Sequence, residues 1–302
     1  ADDTELAEAR ADDGSSAGSS RASNKRKAAR RRIISKEMED LMATSSTDAS
    51  HTRLHAVTQA WRAALDGGVY SGSEHANGNA KASANGVNGS SANGGGVNGG
   101  ESRAGKGLQV SPMLEAFGVQ LRVADDAFGP MMQPVVRNEE SNMKKVNSAW
   151  AALGSPVMLK QFLEAEKAKG IHKPNGVLAD PSAAMALLWM RRMLEFQASF
   201  FEGVCKETDP NAPLGVPAKA AYTQHLEAFH GWLLKNAFRV GLNGLPKRQE
   251  FIRRLAPNIV DEEERTRICV SEVGDCTQVT RQVASQMRDL FAELDLEDKR
   301  KA

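Results

Sequence analysis

With 302 residues, 39 basic against 38 acidic side chains and a net charge of +1, the chain lacks the cationic excess of a dedicated nucleic-acid binder. Its three cysteines, Cys205, Cys269 and Cys276, are odd in number and have no zinc-ligand spacing. That pattern excludes a disulfide framework or thiolate metal centre and fits a reducing compartment. No stretch approaches the roughly 18 consecutive apolar residues of a membrane span.

Residues 1–24 are acidic and then Ser-rich, without apolar periodicity, and read as disordered. Lys25, Arg26, Lys27, Arg30, Arg31 and Arg32 form a basic cluster that leads into a short helical pattern of Ile33, Ile34, Met38, Leu41 and Met42. The cluster could serve as an import signal giving nuclear entry, or as a tether to an anionic membrane. A second pattern, Leu54, Val57, Trp61 and Leu65, has the 3-4-4 spacing of one helix face. From about Gly67 to Gly107 the chain is Gly, Ser, Asn and Ala, too poor in apolar surface to offset chain entropy, and reads as a flexible linker. Residues 1–110 are therefore expected to be a mostly disordered extension.

From residue 111 to 302 apolar residues recur at helical spacing and β-branched runs are scarce, which predicts one all-α domain large enough for a core and an internal pocket. Ser155-Pro156 and Asp180-Pro181 present a capping side chain before a proline and predict helix starts, the second opening a long helix to about Cys205. Gly215 to about Leu242 reads as another long helix. The acidic run Asp261–Glu264 suits a helix N-terminus, and Asp275 to about Asp295 closes the chain.

Three groups of residues carry candidate chemistry. Asn138, Asn142 and Lys145, spaced i, i+4, i+7, share one helix face and could bracket a polyhydroxylated group, although such a triplet is more often a solvated face. Met185 to Phe196 is apolar nearly all round apart from Arg191 and Arg192, as a buried helix is. Phe229-His230-Gly231-Trp232 places His, Gly and Trp together in what reads as mid-helix, where Gly costs about 1 kcal/mol relative to Ala. No nucleophile–base pairing, phosphate loop or metal spacing accompanies them, so an enzyme is not expected, nor a metal or other cofactor.

Together these motifs resemble the glycolipid transfer protein family. The pattern is an Asn and a Lys three apart, then Leu188-Trp189-Met190-Arg191-Arg192 in a long apolar helix, then His230-Gly231-Trp232 about forty residues on. Met113-Leu114-Glu115-Ala116 and Phe162-Leu163-Glu164-Ala165-Glu166-Lys167 extend the likeness over about 112–302. The resemblance implies an all-α, two-layer helical sandwich that binds a single sphingolipid, glycosylceramide being favoured, and moves it between membranes. It implies a cytoplasmic monomer in peripheral, transient contact with membranes. Asn142 and Lys145 match residues that bond the first sugar, Trp189 the indole under it, and His230 the partner of the lipid amide. Val135, Met185, Phe196, Phe200, Leu226 and Phe238 match the hydrocarbon tunnel, and Trp232 the membrane-docking aromatic. One position departs: Asn138 stands where the family has Asp. Losing that carboxylate replaces charge-assisted bonds with weaker neutral ones and makes the site more tolerant of an anionic headgroup. A carrier of ceramide-1-phosphate or sulfatide, or a sphingolipid sensor that does not transfer, is the alternative. Against a dedicated phosphate site, Met185 and Trp189 stand where the ceramide-1-phosphate branch carries arginines. Arg191 and Arg192 are expected to be a solvent-facing or structural pair.

Overall fold

The computed structural model describes residues 50–66 and 107–301. The basic cluster at Lys25–Arg32, the pattern around Ile33–Met42 and the Gly/Ser/Asn linker lie outside the described residues. Described residues form helices α1 (Arg53–Asp66), α2 (Val110–Phe128), α3 (Gln133–Ala152), α4 (Leu159–Lys167), α5 (Ala183–Lys206), α6 (Gly215–His225), α7 (Trp232–Asn243), α8 (Arg248–Leu255) and α9 (Glu262–Glu293), with one 3-10 turn at Pro130–Met132. Among the described residues no β-strand forms; pairing is limited to isolated bridges such as Gln109 with Met158.

The 3-4-4 pattern at Leu54, Val57 and Trp61 is α1, and those three side chains are buried. Trp61 is wholly buried: its Nε1 donates to Gln120 Oε1 at 2.7 Å and its ring meets the edge of Phe117 at 4.8 Å. A buried indole needs such a partner for its N–H. α1 packs on α2 and α9. The compact unit therefore extends N-terminal to the boundary expected at residue 111.

α5 is the central helix. It packs on α9, α6, α3 and α4, while α2 gathers α1, α8 and α3, and α9 joins both groups. The near-continuous apolar run of α5 is explained by these neighbours, which cover almost every side of it. Where α5 crosses α6, a Cβ added to Gly203 would lie 2.4 Å from Pro217 Cβ, so only glycine permits that approach.

Helix boundaries differ from expectation in instructive ways. α5 starts at Ala183, not at Pro181: Ser182 is the cap, its Oγ accepting from Met185 N at 3.0 Å. The buried Glu166 accepts from Ala183 N and Ala184 N, both at 2.7 Å, so a carboxylate from α4 also serves the exposed amides and the positive end of the α5 dipole. Ser155-Pro156 opens no helix; Ser155 has φ 58° and α4 begins at Leu159. The long helix expected from Gly215 to Leu242 is broken between His225 and Trp232, so His230 and Gly231 sit in the connection and Gly231 is the extended N-cap residue of α7. Gly231 thus costs no helical propensity there. Conversely, the two C-terminal segments are one helix, α9, whose start is capped by Asp261 accepting from Glu264 N at 2.8 Å.

Candidate functional site

α3 turns Val136, Glu139, Asn142 and Val146 inward. The spacing 3-3-4 is one helical stripe, and it faces α5 and α2. Of the expected triplet, Asn142 is buried, Lys145 is half-buried and Asn138 is exposed. Lys145 Nζ lies 3.6 Å from Asp180 Oδ1, just before α5.

Sequence reasoning missed Glu139. It is buried (3% exposed), and both Asn142 Nδ2 (3.4 Å) and Asn138 Nδ2 (3.3 Å) donate to its Oε1. Burial raises its pKa to about 7, against the smaller pull of the two amides. A carboxylate therefore does stand among these asparagines, one residue along from where the family pattern puts it. The buried stripe itself was the available signal, because 136, 139, 142 and 146 share a face while 138 lies off it.

The second half of the site is aromatic. Trp189 on α5 stacks on His230 at 5.5 Å between centroids. His230 is buried, and its Nδ1 lies 3.1 Å from the Tyr222 hydroxyl. Burial first, then the charges of Arg192 and Lys235, hold its pKa below the ordinary value, so the ring is neutral at pH 7. With Nδ1 engaged by Tyr222, Nε2 is the nitrogen left to face a ligand.

Arg191 and Arg192 are both buried, so they form a structural pair and are not solvent-facing. Arg191 bonds Glu195 (2.9 Å) and Glu297 (2.6 Å). The Arg192 guanidinium lies 3.5 Å from the Phe229 ring centroid and 5.0 Å from that of Trp189, and donates to the Asp298 carbonyl. Burial lowers the Arg192 pKa to about 10, still fully charged at neutral pH. It backs the indole with a cation–π contact.

From His230 a line of rings runs into the core. Phe238 lies 5.6 Å from His230 and 4.6 Å from Tyr222, and meets Phe196 edge-on at 6.1 Å. Phe196 stacks on Phe200 (6.4 Å), which touches Phe128 (5.6 Å) and Phe251 (6.0 Å). Of the expected tunnel residues, Phe196, Phe200 and Leu226 are buried, while Val135, Met185 and Phe238 are half-buried. A small void of about 10 Å³ beside Phe128, Phe201 and Phe251 is about the size of one water. Trp232, the first residue of α7, is 78% exposed, and Leu234 and Val240 on the same helix are exposed as well.

The family model "Glycolipid transfer protein (GLTP)" matches residues 108–257. Glycolipid transfer protein of Danio rerio is 28% identical over 53% of this chain and 78% of its own length. Glycolipid transfer protein 3 of Arabidopsis thaliana is 23% identical over 49% of this chain and 61% of its own length. Among solved structures, human ceramide-1-phosphate transfer protein in complex with 2:0 ceramide-1-phosphate has a TM-score of 0.60 at 16% identity, covering 82% of this chain and 99% of that one. FAPP2, in a structure concerned with its selection of simple glycosphingolipids through the GLTP-fold, has a TM-score of 0.57 at 21% identity, covering 65% of this chain and 91% of that one. At these identities the structural likeness establishes the fold, an all-α two-layer helical sandwich.

Proposed function

Through residues 108–257 the chain belongs to the glycolipid transfer protein family, and we propose that it binds one sphingolipid, a glycosylceramide in preference, and carries it between membranes through the cytosol as a monomer. Family membership supports a lipid carrier without catalysis. The observation that carries the finer reading is the continuity of the site: a polar group at Asn142 and Glu139, an indole and a neutral imidazole stacked together, and an unbroken line of phenylalanines from His230 to the core.

Each part has a chemical task. The Trp189 face suits the C–H face of a pyranose. Asn138, Asn142, Lys145 and Glu139 offer donors and acceptors to its hydroxyls. His230 Nε2 meets the lipid amide, which distinguishes a ceramide from a lipid without one. The chains lie along Val135, Met185, Phe196, Phe200, Leu226 and Phe238, with about 0.8 kcal/mol for each buried CH₂. Trp232, with Leu234 and Val240, docks on the bilayer surface. No described helix is long and apolar enough to cross a membrane, which leaves peripheral docking as the mode of contact for this part of the chain.

Charge favours a neutral headgroup. Lys145 is paired with Asp180, Arg191 with Glu195 and Glu297, and Arg192 is committed to Asp298 and two rings. Glu139, once ionised, repels phosphate or sulfate. The deciding experiment is vesicle-to-vesicle transfer by the full chain, with fluorescent glucosylceramide, galactosylceramide, sulfatide and ceramide-1-phosphate side by side. Faster transfer of the neutral lipids supports the reading. Faster transfer of the anionic pair overturns the headgroup assignment, and binding without transfer makes the protein a sensor.

A further inference from the structure

Away from the lipid site, three side chains with metal-binding atoms converge where α1 meets α9. His51 precedes the N-cap of α1, His55 lies in its first turn, and Glu272 projects from α9. One ligand atom from each lies within 4.8 Å of the others. His51 Nδ1 is 2.6 Å from Glu272 Oε1, and His55 Nδ1 is 3.7 Å from the same oxygen. The two imidazoles stack at 3.9 Å with an angle of 23°, so the two Nδ1 edges address one point.

We infer that His51, His55 and Glu272 form a binding site for a divalent transition-metal ion of the zinc class, which fastens α1 to α9. Two imidazoles and one carboxylate, with water completing the shell, are a donor set that zinc and its neighbours accept, whereas calcium and magnesium prefer oxygen alone. The carboxylate is already oriented: its Oε2 accepts from Thr52 N at 2.8 Å and Thr52 Oγ1 at 2.5 Å. Outer hydrogen bonds of this kind hold a ligating group in place. Glu272 is nearly buried (9% exposed), while the histidines are part-exposed beside a cavity of about 260 Å³, which gives an ion an entry path and room for water. Asp275, one turn along α9, adds a second carboxylate to the cavity wall. Of the two arginines on that wall, Arg267 is bonded to Glu264 at 2.8 and 2.7 Å. The expectation of no metal rested on ligand spacing within short stretches of sequence, and a histidine–carboxylate site built across two distant segments escapes that test.

The binding partner is tested with the metal alone. The full chain is freed of metal by chelator dialysis and titrated with CoCl₂, reading visible absorption, and then with ZnCl₂. One Co²⁺ per chain with d–d absorption, displaced by Zn²⁺, is the expected result. His55→Gln keeps the bonds of Glu272 to Thr52 and His51, so it leaves the helix anchored while removing a ligand. It should weaken binding by more than the roughly 10–100-fold typical of losing an outer-shell partner. Zn²⁺ should raise the Tm of the wild type and leave that of His55→Gln unchanged. The buried thiols of Cys269 and Cys276, raised to about 12 and about 11 chiefly by burial, are poor competitors. Failure of Co²⁺ to bind the wild type overturns the inference, as does binding that persists undiminished in His55→Gln and Glu272→Gln.

Discussion

Replacing Glu139 by Gln should make the protein more stable and less able to hold a glycolipid, and the stability gain should depend on pH. The folded chain keeps this proton up to about pH 7, whereas an ordinary glutamate releases it near 4.5. Between those values the folded state binds more protons than the unfolded one, so stability falls as pH rises through that window and stays lowered above it. At about 1.4 kcal/mol for each pH unit of difference, the cost reaches about 3 kcal/mol above pH 7. Glutamine keeps an acceptor for Asn142 and Asn138 and cannot ionise. Thermal unfolding of wild type and variant at pH 5, 6, 7 and 8 isolates the group, because every other titration is shared. A difference on the order of 1 kcal/mol or less at pH 5 should widen to about 3 kcal/mol at pH 8. For a domain of this size that is a Tm gap of about 6–12 °C. A gap that does not change with pH, or a variant less stable at pH 8, refutes the account of Glu139 as a buried carboxylate without a cationic partner.

Binding should move the other way. Sugar hydroxyls donated to an ionised carboxylate make charge-assisted bonds, about twice as strong as those to an amide. The variant should lose about 1 kcal/mol of glycosylceramide affinity at pH 8, roughly fivefold, and little at pH 6, where the wild-type group is protonated. His230, whose pKa burial holds below the ordinary value, is present in wild type and variant alike, so its titration cancels when the two are compared at the same pH.

The remaining predictions concern the aromatic half of the site and α1. Trp189→Ala should cost about 0.5–1.5 kcal/mol of the preference for glycosylceramide over ceramide, measured by competitive binding of the two lipids. His230→Leu should weaken ceramide-based lipids by about 1–3 kcal/mol, because the amide loses its partner. Adding Tyr222→Phe to it, which removes the orphaned hydroxyl, should recover stability in thermal unfolding but not lipid affinity. Trp61→Ala should destabilise the protein by about 3–5 kcal/mol, while Arg62→Ala, exposed on the same helix, should change Tm hardly at all. If Trp61→Ala unfolds at the wild-type temperature, α1 is not part of the core.

Much of the architecture could be read from spacing. The apolar stripes of α1 and α5 and the acidic start of α9 each point to a single element, and each is there. The errors share a cause: local signals compete, and tertiary partners arbitrate. Ser155-Pro156 has the form of a helix start, yet Trp150 Nε1 donates to the Pro156 carbonyl at 2.8 Å and keeps that stretch as a turn. Asp180 sits before a proline, but the amides at the head of α5 are served from Ser182 and from Glu166 on α4, a partner no local window contains. The helix break at residues 226–231 carries no proline, and Gly231 was weighed as an interruption within a helix when it is the residue at which a new one begins.

The arrangement of the candidate site was easier to anticipate in its aromatic half than in its polar half, and the reason is geometric. Trp189 and His230 are rare residues in an apolar setting, so type alone singles them out, although the helix break that brings His230 onto the Trp189 ring was not anticipated. Asn138, Glu139, Glu140, Ser141 and Asn142 are five consecutive polar residues, and residue type does not say which of them a helix turns inward. The i, i+4 rule pairs Asn138 with Asn142; the i, i+3 rule pairs Glu139 with Asn142 equally well. The flanking apolar residues break the tie. Val136 and Val146 lie ten residues apart, and a stripe drawn between them in steps of three, three and four passes through 139 and 142, while no stripe in steps of three or four from Val136 passes through 138. A charged residue on such a stripe is usually taken as evidence against burial. Here its burial is sustained by two amide donors and by a raised pKa that lets the acid stay neutral. A carboxylate with a pKa of about 7 is poised between its two forms at neutral pH, so arriving hydroxyl donors need shift it only slightly to gain a charged acceptor.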